Sequence, residues 1–362
     1  MTTSPHVLYE QQGFPILQNR LFASREDARS CATGDIRLVQ NSSTGLVENV
    51  LFDASLIHYD STYHNEQEYS SVFREHLLAA ASIVEQRIGR HGLVEVGCGK
   101  GYFLDMLADR GLDVSGCDPA YTGSNPRIAK RFFDPATPLA ARGIVLRHVL
   151  EHIPHPLAFL RQVRDANSGA GLIYIEVPCF DWIANHRAWF DVFYEHVNYF
   201  RLEDFGRIFD SVLASGRLFG GQYLYCVADL ASLRDHVRTD WSAAILPPDF
   251  FKACAGVPPF GKATGKATSA IWGCASKGVI FALLRERAGH PIQVAIDLNP
   301  HKQGMHLPGT GMAVVSPAEG LASMPKGSVI YVMNSNYAEE IRELGGSEHE
   351  YICIDQTKPA GA

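Results

Sequence analysis

Between Phe193 and Phe200 the chain runs FYEHVNYF. A carboxylate, an imidazole, an amide and two phenols lie side by side between apolar flanks. Such groups can take, give or steer a proton, and imidazole does so near neutral pH. The same Glu195 and His196 can also simply satisfy each other at a domain seam. These residue types alone leave both uses open.

A second stretch, LVEVGCGKGYFLDML, makes a more specific demand. A hydrophobic strand runs to Glu95, and Gly97, Gly99 and Gly101 then turn the chain into a helix. Glycines let a backbone take positive φ and come close to a ligand. Cys98 lies inside that loop. The next strand, LDVSGCD, ends at Asp118, where a carboxylate can hold two ribose hydroxyls. A dinucleotide would put its pyrophosphate at the helix N-terminus, and Glu95 would repel it. S-adenosylmethionine (SAM) has no phosphate and carries an ammonium and a sulfonium, which suits that carboxylate. This disfavours a nicotinamide-dependent oxidoreductase. A plain glycine-rich connection is the remaining alternative.

These groups need a frame. Alternating strands and helices run through LVEVG, YFLDMLADRG, DVSGCD, GIVLRHV, LAFLRQVRDA and GLIYIEVP, which predicts an α/β unit with parallel strands. The same rhythm returns late in SAIWGCAS, KGVIFALLRERAG, IQVAIDLNP and SVIYVMN. Before both, GDIRLVQNSSTGLVENVLF predicts a β-hairpin, and apolar spacing predicts a helix over 68–90. We expect a small β-rich domain over 1–66, a Rossmann-like α/β domain over 67–235 and a second Rossmann-like domain over 236–362. LPPDFFKACAGVPPFGKATGKA marks their junction.

Composition agrees with a soluble globular protein. The chain has 362 residues and a formal charge of −7, so bulk electrostatics favour neither nucleic acid nor an anionic membrane. No run is long enough to span a bilayer, and the N-terminus lacks the pattern of a signal peptide. The eight cysteines form no C-x-x-C pair, which points to reduced thiols in a cytoplasm.

Glu95 to Gly101, Asp118-Pro119 and VLRHVLEHIPHPLAFL together resemble the motifs of class I SAM-dependent methyltransferases. The likeness continues through IYIEVPCFDWI, FDVFYEHVNYFRLEDFGRIFD and FGGQYLYCVADL to IDLNPHKQGMHLPGTGMAVVSP. It is similar over nearly the whole chain to the sugar C-methyltransferases acting on nucleotide-linked keto-deoxysugars. The resemblance implies a cofactor site of Glu95, Gly97, Cys98, Gly99, Gly101, Asp118, Pro119, Arg147 and His148. Tyr63 and Tyr69 would approach it from a lid. It implies that His196 removes a proton next to a ketone, with Glu195 orienting or polarising it, so that an enolate can be methylated. Tyr194 is the candidate phenol, although that family usually runs Tyr-His-Glu-His and this chain runs Phe193-Tyr194-Glu195-His196. Asn198 is a candidate substrate amide. His148, Glu151, His152 and His155 are expected to line the pocket or lie on the surface, with no metal between them.

The family's N-terminal domain holds zinc through cysteine pairs. Here Asn41 and Thr44 stand where thiolates are expected, and amides bind zinc poorly, so no zinc is expected there. In the tail, the Gly273–Gly278 turn with Lys277 can hold an anion, and Asn299, His301 and Lys302 follow the next strand. A nucleotide diphosphate handle is the expected guest, a structural brace the alternative. The resemblance thus implies methyl transfer from SAM to a carbon of a nucleotide-linked keto-sugar rather than to another small secondary metabolite. O- or N-methylation and a non-catalytic SAM- or sugar-binding role remain as alternatives.

Overall fold

The computed structural model describes residues 6–58, 69–250 and 268–356. Its central sheet has seven strands, in the order Val212–Leu218, Tyr223–Asp229, Leu172–Pro178, Gly143–Arg147, Leu93–Val96, Val114–Cys117 and Ile128–Ala129. The last five run parallel, and the first two add antiparallel. Ile144, Val145 and Leu146 are fully buried, as expected of a parallel strand covered on both faces. Helices Ser71–Arg87, Tyr102–Asp109 and Pro156–Ala166 belong to this unit.

The predicted hairpin forms from Thr33–Gln40 and Val47–Asn49, paired antiparallel, and Val7–Pro15 joins it. The fourth strand of that sheet comes from far along the chain. It is Asn198–Tyr199, which pairs with Glu48 and Val47. The segment beginning at Phe193 is therefore the seam between the first sheet and the central one.

Where thiolates are expected by resemblance, a polar turn stands instead. Asn41 Oδ1 accepts from the backbone N–H groups of Ser43 and Thr44, at 2.8 and 3.1 Å, and its amide donates to Glu48. Side-chain bonds of this kind build tight turns without metal. Arg207 donates to the Thr44 carbonyl and docks the turn on the central unit.

The tail has five parallel strands, in the order Val314–Val315, Val294–Ile296, Ser269–Trp272, Val329–Val332 and Glu350–Cys353. Helix Ser276–Arg287 is buried from Gly278 through Arg285. A helix apolar on all sides must be surrounded. Phe281 stacks on Trp189, with centroids 5.5 Å apart, and Arg287 donates to the carbonyls of Gln12 and Gly13. That one helix thus joins the tail to the first sheet and to the short 3-10 helix Trp189–Asp191. No helix among the described residues is long and apolar enough to cross a membrane.

Candidate active site

The ends of strands Leu93–Val96, Val114–Cys117 and Gly143–Arg147 open into a cavity of about 560 Å3. Its far wall is the tail, through Trp272, Ser276, Asn299 and Tyr337. Ligands gather at this edge of parallel sheets because the loops diverge there and strand backbone groups end.

The glycine loop forms the floor. At Gly97, φ is +76° and a Cβ would lie 2.5 Å from a Val149 methyl, so only glycine fits. Gly99 also has positive φ, but its missing Cβ would project into open space. Its N–H donates to Asp118 Oδ2 at 2.8 Å, which ties the loop to the next strand. Glu95, Cys98, Asp118 and Pro119 all line the cavity. Gly101 does not; it caps helix Tyr102–Asp109, and a Cβ there would meet Ile128.

Glu95 is 2% exposed, and its Oε2 has no hydrogen-bond partner. Burial pushes its carboxyl up to about 8, against the pull of Arg147. An enclosed acceptor without a donor fits a cationic ammonium. Together with the open space at Gly99, this offers room and an acceptor for a ligand that carries an ammonium group.

Arg147 and His148 line the cavity but are held from below. Glu176, fully buried, accepts from Arg147 at 2.8 Å and from the Tyr174 hydroxyl at 2.6 Å, and lies 3.0 Å from His76 and 3.2 Å from His148. Burial opposes its charge, yet Arg147 and the two histidines hold its carboxyl well below the usual range. His148 Nδ1 also meets Glu151 Oε1 at 3.1 Å. Burial works against the imidazolium, but these carboxylates push His148 up to about 9. Its φ of +51° is rare for a residue with a Cβ. Tyr63 lies outside the described residues, and Tyr69 lines the cavity.

The segment from Phe193 divides its side chains between two sides. Phe193 and His196 line the cavity. Tyr194 does not: its ring fills the space beside Gly34, and its hydroxyl accepts from the Asp53 N–H at 2.9 Å. The phenol expected beside the reaction is thus spent on the N-terminal domain. Glu195 faces His152 rather than His196. Its carbonyl lies 3.0 Å from His152 Nδ1, its carboxylate 3.9 Å from the same atom, and Oε1 accepts from the Gln18 N–H. Asn198 is off the cavity as well, donating to the Ile153 carbonyl at 2.7 Å.

His196 packs against Phe193 and His152, with ring centroids 4.7 and 4.9 Å away. Its Nδ1 is enclosed and makes no hydrogen bond. Burial, then the nearby His152, His148 and Lys277, hold its pKa well below the ordinary histidine value. The ring is neutral at physiological pH, with one lone pair ready to accept a proton.

In the tail, Lys277 Nζ meets Asp191 Oδ2 at 3.0 Å and Gln222 Oε1 at 2.8 Å. Burial raises the Asp191 carboxyl despite that lysine. Lys302 pairs with Asp297 at 3.4 Å, and Asn299 Nδ2 has no partner. All three cavity-facing residues, Lys277, Asn299 and Lys302, line the wall, whereas His301 does not. Asp191 was not legible as a site residue, because nothing local marks an aspartate in FDVF as the partner of a distant lysine. His148, Glu151 and His152 line the cavity and His155 does not.

Two family models match the chain. A methyltransferase domain matches residues 64–212, and a C-methyltransferase C-terminal domain matches residues 261–350. The C-methyltransferase NovU of Streptomyces niveus is 24% identical over 320 residues, covering 77% of this chain and 74% of NovU. Among solved structures, a Burkholderia thailandensis 1,6-didemethyltoxoflavin-N1-methyltransferase with bound S-adenosylhomocysteine is 16% identical, with a TM-score of 0.35 over 55% of this chain and 96% of its own. A SAM-dependent methyltransferase from Anabaena variabilis is 17% identical, with a TM-score of 0.34 over 46% of this chain and 86% of its own.

Proposed function

We propose that this chain, a SAM-dependent C-methyltransferase distantly homologous to NovU, methylates a carbon beside the ketone of a nucleotide-linked keto-sugar, with His196 as the base. The observation that carries this reading is the position of a neutral, cavity-facing His196 in the same cleft as Glu95, the Gly99 loop and Asp118.

Glu95 would hold the SAM ammonium, and Asp118 the ribose hydroxyls. When bound, SAM supplies an electrophilic methyl group on a sulfonium. A ring nitrogen of His196 takes the proton from the carbon beside the ketone, and the carbon is left as an enolate nucleophile. The acidic pKa of the ring keeps it free of protons before substrate arrives, at some cost in basic strength. Glu195 acts at one remove, by fixing His152, which packs against the base.

The tail suits an anionic handle. An ammonium has three donors, and Lys277 spends two on Asp191 and Gln222. The third, with Asn299 Nδ2, is left for phosphate oxygens, whereas the N–H groups of Gly273, Cys274 and Ser276 in the neighbouring turn are taken by the Ile296 carbonyl, Asp297 and Asn19. Incubation with SAM and a panel of keto-sugar nucleotides, read by mass spectrometry, tests the acceptor. A gain of one methylene unit that resists ester and ether cleavage supports the reading. Methylation only of acceptors without a ketone would refute it.

A further inference from the structure

We propose that Glu151, His152 and His196 form a binding site for one divalent cation of borderline softness, with Zn2+ as the probe, and that filling it takes His196 out of service as a base. The second half rests on the reading of His196 given above; the first half does not.

One donor atom from each of the three residues lies within 4.8 Å of the others. Glu151 is 1% exposed; its Oε1 is engaged by His148, and its Oε2 has no partner. A buried carboxylate oxygen without a donor is costly, and a cation is the strongest way to satisfy it. His196 adds an enclosed nitrogen that also lacks a partner.

The arrangement around these donors is that of a metal site. His152 Nδ1 lies 3.0 Å from the Glu195 carbonyl, which can only accept, so Nδ1 carries the hydrogen and Nε2 the lone pair. Metal-bound histidines are oriented by a carbonyl or carboxylate in this way, and bound carboxylates are themselves hydrogen-bonded. Glu195 and His148 fill those two roles here. The two donor-bearing segments are also clamped together. The Val197 N–H donates to the Glu151 carbonyl at 2.8 Å, and Asn198 donates to the Ile153 carbonyl. The donors are therefore preset rather than gathered by the ion.

Two imidazoles and one carboxylate select Zn2+ and its neighbours over Mg2+ or Ca2+, which prefer oxygen. Three protein donors facing a cavity leave a coordination position for an acceptor oxygen or water. A neutral imidazole has one in-plane lone pair. Whichever ring nitrogen of His196 carries it, a bound cation and an abstracted proton compete for it.

The test uses the full chain after chelator treatment, titrated with Zn2+ by calorimetry and with Co2+ by absorption. We expect one ion per chain and a Co2+ spectrum without the intense thiolate band. Glu151→Gln and His152→Asn should each weaken binding by at least roughly tenfold, the lower end of what lost outer support costs. Thermal unfolding checks that both variants fold, and either one alone suffices. No binding, a thiolate band from cysteines such as Cys31, or unchanged affinity in a folded variant would overturn the site. Zn2+ should also inhibit methyl transfer by lowering kcat, an inhibition that excess acceptor does not relieve, and chelator should restore it. Binding without inhibition would overturn the blocking role. The base reading itself stands or falls separately, on His196→Ala.

Discussion

Replacing Lys277 by alanine is expected to do more than loosen a substrate handle. Its ammonium sits 3.0 Å from Asp191, with side-chain exposures of 16% and 9%, and 5.0 Å above the Trp182 ring. At an effective dielectric of about 20, a pair at that distance attracts by roughly 5–6 kcal/mol before desolvation is counted. Removing one partner of a buried pair leaves an uncompensated charge, typically about 3–5 kcal/mol. Asp191 can escape part of this by binding a proton, because burial already raises its carboxyl. We therefore expect Lys277→Ala to destabilise the fold by about 3 kcal/mol at pH 8. In the variant Asp191 has a folded pKa raised further above its unfolded value. The stability lost is then small below the ordinary carboxylate range and grows as pH rises. Urea unfolding at pH 5 and pH 8 measures this, and Asp191→Asn in the same background should recover much of the loss. A loss under about 1 kcal/mol at both pH values would refute the reasoning and return Lys277 to a simple surface cation.

Cofactor binding should carry a pH signature. Glu95, raised to about 8, must shed its proton to hold an ammonium, so S-adenosylhomocysteine should bind more tightly from pH 6 towards pH 8, with proton release seen by calorimetry in buffers of different ionisation heat; Glu95→Gln should abolish that release. Gly97→Val should cost more stability than Gly99→Val, because only Gly97 meets Val149, whereas Gly99→Val should chiefly lose S-adenosylhomocysteine affinity; equal melting temperatures would contradict this. Tyr194→Phe should lose about 1 kcal/mol of stability, the usual net worth of one hydrogen bond, with kcat hardly changed, since its hydroxyl serves Asp53; a large fall in kcat would put the phenol back in the reaction.

The parts legible in the sequence are those fixed by local pattern. Continuous apolar runs such as GIVLR became buried parallel strands, and the glycine loop after Glu95 became the cavity floor. Asn41 and Thr44 could be read as a turn without thiolates, and such a turn stands there. What stayed hidden depended on distant partners. Strand Asn198–Tyr199 is two residues long and shows no alternation of its own; only its pairing with Val47 and Glu48 makes it a strand. That pairing turns Tyr194 towards Asp53 and Glu195 towards His152, reversing the expectation that both attend His196. Likewise Lys277 looks like a free cation in GCASKG, and only the fold brings Asp191 and Gln222 to it.

The proposed reaction turns on one proton. A keto-sugar nucleotide in heavy water, incubated with the enzyme and no SAM, should exchange the hydrogen beside its ketone, because His196 needs no methyl donor to remove it. His196→Ala should fold, bind S-adenosylhomocysteine with near-parent affinity, and lose both the exchange and roughly 10²–10⁴-fold in kcat. Exchange and turnover at the parent rate in the His196→Ala enzyme would contradict the account.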